Sequence, residues 1–265
     1  DAAMPKDGTE VIFPDEDTTG TITPGAPVEI DGKPNVIDWD GEIWLKDKGS
    51  KLLVTYQFNE DADPHKEYPT AMYAWYLKWT GDTCEAIRVP ELDNFMTYKG
   101  TSIRVGHSSD GIRFFTAVPV EAMNKLVKGQ FLTGELAGYK LVEMGTLYKW
   151  AATGTELTIE NGAKSYVYGG SAGSTYRQFS KEGNLSWFTG MLTDLPGDAQ
   201  TLAKDILSRP YAVFQKGNDT IVLYGGSIQR SIYYVALQNK DTWATGTAYD
   251  NYVEKIISTV DAANG

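Results

Sequence analysis

Seven Trp and 16 Tyr stand in a chain of 265 residues that is only 42% hydrophobic. A flat ring supplies one chemistry without a partner at fixed spacing. It covers the C–H face of a pyranose, removing apolar surface from water while the equatorial hydroxyls stay free. One such stack hides on the order of 50 Å², worth roughly 1 kcal/mol. Several rings acting together, with a few hydrogen bonds, reach micromolar to millimolar affinity. Core packing competes for each ring. Trp75 shares a strand face with Tyr73 and Leu77 and reads as core. Trp44, flanked by Ile43 and Leu45, points to solvent if its neighbours pack inward. Trp39 alternates with Asp38 and Asp40, Tyr76 lies opposite the Trp75 face, and Trp79 ends its strand before Thr80-Gly81-Asp82. Trp150 precedes a polar stretch, Trp187 alternates out of phase with Phe188 and Leu192, and Trp243 sits in a loop sequence, Asp241 to Gly246. The predicted binding residues are Trp39, Trp44, Tyr76, Trp79, Trp150, Trp187, Trp243 and Lys149. Lys78, Asp82, Asn184 and Gln229 are the polar groups expected to meet hydroxyls.

Catalytic constellations are thin by comparison. Gly169-Gly170-Ser171-Ala172-Gly173 matches the G-x-S-x-G pattern, which in an α/β-hydrolase needs an acid and then a histidine later in the chain. His65 and His107 both precede it, so the stretch is read as a glycine-rich loop. His107, Ser108 and Asp110 read as a polar turn. A glycosidase carboxylate pair is recognised by separation in space, and Glu42, Asp82, Glu143 and Asp194 lie near aromatic segments without being singled out. Asp38-x-Asp40-Gly41 begins like a calcium loop, but Gly49 stands where the bidentate Glu belongs. No metal and no cofactor are expected, and the chain is read as non-enzymatic.

Charge narrows the partners. Thirty-five acidic and 24 basic residues give a net charge of -11, which repels phosphate backbones and anionic headgroups alike. Nucleic acid and membrane insertion are therefore not expected, and no apolar run is long enough to span a bilayer. Cys84 is the only cysteine, which rules out an intrachain disulfide or a cysteine zinc cluster. The start at Asp1 without a leader is read as a processed or excised piece of a larger protein.

The elements that must hold these rings are expected as follows. Residues 1–35, rich in Pro, Thr, Gly and acids, read as a solvated linker. Residues 36–97, with alternation at Leu52, Val54, Tyr56 and Phe58 and again from Thr70 to Thr80, predict an N-terminal antiparallel β-sandwich lobe. Residues 98–265 predict an α+β lobe with antiparallel hairpins and short helices. Its strands include Thr101–Val105, Gly111–Val118, Leu185–Leu192 and a hairpin of Tyr211–Phe214 with Thr220–Tyr224. Its helices are Val120–Val127, Ala199–Leu207, one begun by Ser227, and an amphipathic Tyr249–Val260. The fold class is thus mixed β and α+β.

Ile103-Arg104, Gly111-Ile112-Arg113-Phe114, Glu143-Met144-Gly145-Thr146-Leu147, Arg209-Pro210-Tyr211-Ala212, Tyr224-Gly225-Gly226 and Arg230-Ser231-Ile232 follow one another along the C-terminal two-thirds of the chain. They resemble a domain of secreted surface proteins of gut clostridia and ruminococci, over roughly Tyr98 to the end. With its aromatic β lobe the chain looks most like a starch-binding domain of a ruminococcal starch adherence system, the cell-surface amylosome. That resemblance implies a non-catalytic groove between two lobes, binding starch or maltooligosaccharides (α-1,4-glucan), and other modules of a surface complex as neighbours. From the residues alone the expectation is an aromatic-rich extracellular binding module. Its alternatives are a protein-interaction or scaffold module and a glycoside hydrolase.

Overall fold

A computed structural model describes residues 20–22, 29–30, 33–34, 51–57, 72–79, 84–106, 109–151 and 157–265. In chain order the first half holds β1 (Gly20–Ile22), β2 (Glu29–Ile30), β3 (Lys33–Pro34), β4 (Lys51–Gln57), β5 (Met72–Trp79), β6 (Cys84–Arg88), β7 (Thr97–Arg104), β8 (Gly111–Pro119) and α1 (Val120–Leu126). The second half holds β9 (Lys140–Trp150), β10 (Ala163–Tyr168), β11 (Ser180–Glu182), β12 (Leu185–Thr193), α2 (Ala199–Ala203), β13 (Ile206–Lys216), β14 (Asp219–Tyr224), β15 (Ile228–Arg230), α3 (Ile232–Gln238) and α4 (Ala248–Asn264). The class is mixed, antiparallel sheet with a few helices.

The strands form two main sheets. The larger runs β1-β6-β5-β4-β14-β13-β9-β10, with β15 also on β13; the smaller runs β11-β12-β8-β7. Pairing is antiparallel except where β14 meets β4, Leu223 opposite Leu53 and Tyr224 opposite Val54. Through that parallel contact the strands of residues 51–88 continue the sheet built by residues 140–230. The hydrogen-bonded ladder is therefore shared across the boundary expected at residue 97.

Local chemistry explains most elements. Gly217, at φ 59°, and Asn218 make the two-residue turn that the right-handed strand twist of β13 and β14 requires. Ser231 caps α3 by accepting the Tyr234 N–H at 3.0 Å, and Thr247 caps α4 through the Asp250 N–H at 3.3 Å. Two expectations need correction. The helix expected after Ser227 starts only at Ile232, because Ile228–Arg230 pairs first with Ile206–Ser208 as β15. For the same reason Ile206 and Leu207 are strand, and α2 stops at Ala203. Short apolar runs fit either period, and tertiary pairing decides between them.

The inner face of the smaller sheet packs on the larger one. Val118 and Phe188 join Met144, Val167, Ala212 and Phe214 in one core, with α1 beside them. Ile112 and Phe114 join Tyr148, Ile206 and α2 to α4 in the second. The sheets approach closely at Gly190, where a Cβ would meet the Tyr148 hydroxyl at 1.7 Å and Thr146 at 2.6 Å. Only a residue without a side chain fits there. With their inner residues covered, β8 and β12 turn their alternate residues outward.

Candidate functional site: an aromatic platform on the smaller sheet

Period-two alternation puts Ile112, Phe114, Thr116 and Val118 of β8 in the interior. Arg113 and Phe115 consequently stand on the outer face. On β12, Phe188 is buried, while Trp187, Thr189 and Met191 share the outer face with them. Register sets the neighbours in rows: Ser180, Trp187 and Ala117; Thr189, Phe115 and Gly100; Met191, Arg113 and Ser102. Phe179 comes in just ahead of β11, held by its N–H on the Trp187 carbonyl at 2.8 Å.

The rings form a cluster. Phe115 lies 5.4 Å from Phe179 and 6.1 Å from Trp187, centroid to centroid, both edge to face. Phe179 is 49% exposed and Met191 41%, while Phe115 and Trp187 are half-buried. The Arg113 guanidinium carbon lies 5.4 Å from the Phe179 ring centre. Trp187 Nε1 and Arg113 Nε are buried without a hydrogen-bond partner among the described residues. Beneath the platform, Ser186 Oγ lies 3.0 Å from both the Tyr176 hydroxyl and Gln178 Oε1, tying the approach to Phe179 onto β12. Burial pushes the Tyr176 phenol up to about 12, against the smaller downward pull of Ser186.

The other sequence-selected residues are scattered. Tyr76 is 3% exposed inside the first core, so it offers no ring face to a ligand, and this corrects its selection as a platform. It shares that core with Leu92 and Phe95, a burial that alternation alone does not reveal. Trp150 ends β9, 38% exposed, with the Lys204 ammonium 5.0 Å from its ring centre. Trp150 pairs with Ile206, whereas Lys149 and Gln229 both flank Leu207, so they face the opposite side of the sheet from Trp150. Gln229 also donates to Asp205 Oδ2 at 3.3 Å. Trp243 stacks on Tyr249 at 4.7 Å and packs against the helical core, which occupies one of its faces. Asn184 lies in the β11–β12 turn, its carbonyl accepting the Val120 N–H at 2.9 Å. Trp39, Trp44 and Asp82 lie outside the described residues, as do the side chains of Lys78 and Trp79.

Among the described residues, Trp187 is the one ring expected from the sequence that belongs to the platform. Arg113, Phe115, Phe179 and Met191 were not selected. Ile-Arg-Phe-Phe does carry the alternation, but nothing in it says which face is covered. Phe179 lies outside regular structure, where no period applies.

Of the remaining candidate chemistry, Asp38, Asp40, Glu42, His65, His107 and Ser108 lie outside the described residues, and Ser171 and Glu143 are engaged structurally. Residues 170–172 form a single 3-10 turn closed by the Gly169 N–H on Gly173 O at 2.7 Å, without the strand–turn–helix of a nucleophile elbow. Glu143 accepts from the Tyr211 hydroxyl at 2.8 Å and from Lys164 at 3.1 Å. Arg209 donates to Gly225 O at 2.8 Å and covers the Tyr224 ring at 4.6 Å, a scaffold role. No group of three or more potential metal ligands occurs among the described residues. No helix there is long and apolar enough to cross a membrane. Compared with known proteins, the chain matches no family model, no curated protein and no solved structure.

Proposed function

We propose that the chain is a non-catalytic carbohydrate-binding module of a secreted or cell-surface protein. It adheres to an α-glucan, starch or maltooligosaccharide, by aromatic stacking, and needs no cofactor. The observation that carries this reading is the cluster of Phe179, Phe115 and Trp187 on the outward face of a sheet, with an unpartnered donor beside them. The α-glucan assignment comes from the resemblance to starch-adherence domains. The site differs from the groove between two lobes that the resemblance implies, since the rings lie on the face of the smaller sheet.

The magnitudes suit adhesion. Two or three stacks at roughly 1 kcal/mol each, with a few hydrogen bonds, offset the cost of immobilising one glucan chain and leave weak binding. Other modules of the same surface protein or complex would multiply it by effective concentration. A protein-interaction module is the second reading, favoured by Met191, whose exposed thioether adapts to apolar partners better than to sugars.

Retention on insoluble starch tests this, with cellulose as control, free maltooligosaccharide as competitor, and reducing-sugar release measured alongside. Competable retention on starch without sugar release is the expected result. Absence from both polymers removes the glycan reading and moves the protein-interaction module to first place, while sugar release replaces it with a hydrolase.

A further inference from the structure

Arg113 holds a charge that no described residue on its sheet face balances. It is half-buried, its Nε is fully buried without a partner, and among the described residues its guanidinium makes no hydrogen bond and no ion pair. Its contact is the Phe179 ring. A guanidinium whose Nε is desolvated in this way ordinarily has an acceptor for that donor, and its half-exposed terminal groups are open to the same acceptor.

The surrounding rows supply none of opposite charge. Around Arg113 and Phe115 the outward residues are Ser102, Gly100, Thr189 and Met191, with Ala117, Trp187 and Ser180 next on one side and Thr193, Gly111 and Arg104 on the other. Among the described residues, carboxylates come only at the ends of the face. Glu182 stands opposite Leu185 at one end. Asp110 and Asp194 stand at the other, accepting from the Gly106 N–H at 3.3 Å and from the Thr193 hydroxyl at 3.1 Å. The polar inventory beside the rings is therefore donor-rich, two unpartnered N–H groups and a few hydroxyls. A neutral sugar hydroxyl can accept from these donors, but it offers the guanidinium one uncharged oxygen at a time. A planar anionic group accepts from the guanidinium fork in two places.

We infer that Arg113 receives an anionic substituent of the bound glycan, a carboxylate or a phosphate ester, while the rings hold the sugar beside it. This rests on the carbohydrate-binding reading above. The overall charge of -11 does not oppose it strongly, because charges more than about 8 Å away are largely screened at physiological ionic strength.

The test compares three forms of one soluble starch: neutral, phosphorylated, and oxidised at its primary hydroxyls to carboxylates. Polyglutamate serves as a polyanion without sugar rings. Affinities are measured for the wild-type chain, Arg113→Gln and Arg113→Lys, with thermal unfolding as a check on each variant. The wild type should prefer at least one charged form over neutral starch by about tenfold, the form preferred naming the source of the anion. Arg113→Gln should bring that ratio to about one, and Arg113→Lys, which keeps the charge but not the fork, should leave an intermediate ratio. Should Arg113→Gln fail to fold, loss of the wild-type preference in high salt supports the proposal and its persistence overturns it. A wild-type ratio of one, or a ratio untouched by Arg113→Gln, overturns the inference while leaving neutral-glucan binding in place. Retention of no starch at all fails the underlying reading as well, and equal binding of polyglutamate replaces both with an acidic-peptide site.

Discussion

Replacing Gly190 with Ala tests the packing that sets the platform. The added Cβ would lie 1.7 Å from the Tyr148 hydroxyl and 2.6 Å from Thr146 Cβ and Oγ1. Relief requires more than a ångström of movement, and neither neighbour is a flexible chain end: Tyr148 is a rigid ring 5.4 Å from Phe114, and Thr146 is β-branched. Overpacking of a close-packed interior costs typically 1–3 kcal/mol, and this contact belongs at or above the top of that range, about 3 kcal/mol. For a domain of this size each kcal/mol lowers Tm by roughly 2–4 °C, so Gly190→Ala should melt about 6–12 °C lower. Tyr148→Phe removes the atom in closest conflict, and it also removes a buried hydroxyl that lacks a hydrogen-bond partner among the described residues. Alone it should be neutral or slightly stabilising. Combined with Gly190→Ala it should recover about 1 kcal/mol or more, a coupling that a double-mutant cycle by thermal or urea unfolding measures directly. A Gly190→Ala chain melting within about 1 °C of wild type would refute the reasoning, and strict additivity would refute the part that names Tyr148.

Phe179→Ala should leave Tm nearly unchanged, since its ring is half exposed, yet lower starch affinity about fivefold, the loss of one stack. Trp243→Ala should do the reverse, destabilising the helical end by about 1–2 kcal/mol through the lost Tyr249 stack while starch retention stays at the wild-type level. The Tyr176 phenol, raised by burial to about 12, is held neutral in the fold. The stability this contributes is complete below its ordinary value near 10 and is lost as pH rises from about 10 to 12. Burial raises the Tyr148 phenol in the same direction. Melting temperature should accordingly fall above about pH 10, and Tyr176→Phe should lessen the slope. A profile that does not change above pH 10 would refute this.

Residue types and local periods were enough for the β13–β14 hairpin, for α4, and for the face on which Trp187 stands. Each rests on interactions between close neighbours in the chain: a Gly-Asn turn matched to strand twist, a threonine cap, and alternation against Phe188. Alternation also divides β5 and β8 into two faces, but it carries no information about what lies over them. Tyr76 and Arg113 show this most clearly. Tyr76 lies in the same core as Leu92 and Phe95, whereas Arg113 and Phe115 of β8 stay half-buried on the platform side. Ile206 to Arg230 shows the same limit for helix and strand, since short apolar runs take the period of whatever pairs with them. The parallel meeting of β14 with β4, the approach of the two sheets at Gly190, and the gathering of Phe179, Phe115, Trp187 and Arg113 were decided only in three dimensions. Each joins segments distant in sequence, where burial of one face against another, not local propensity, supplies the free energy.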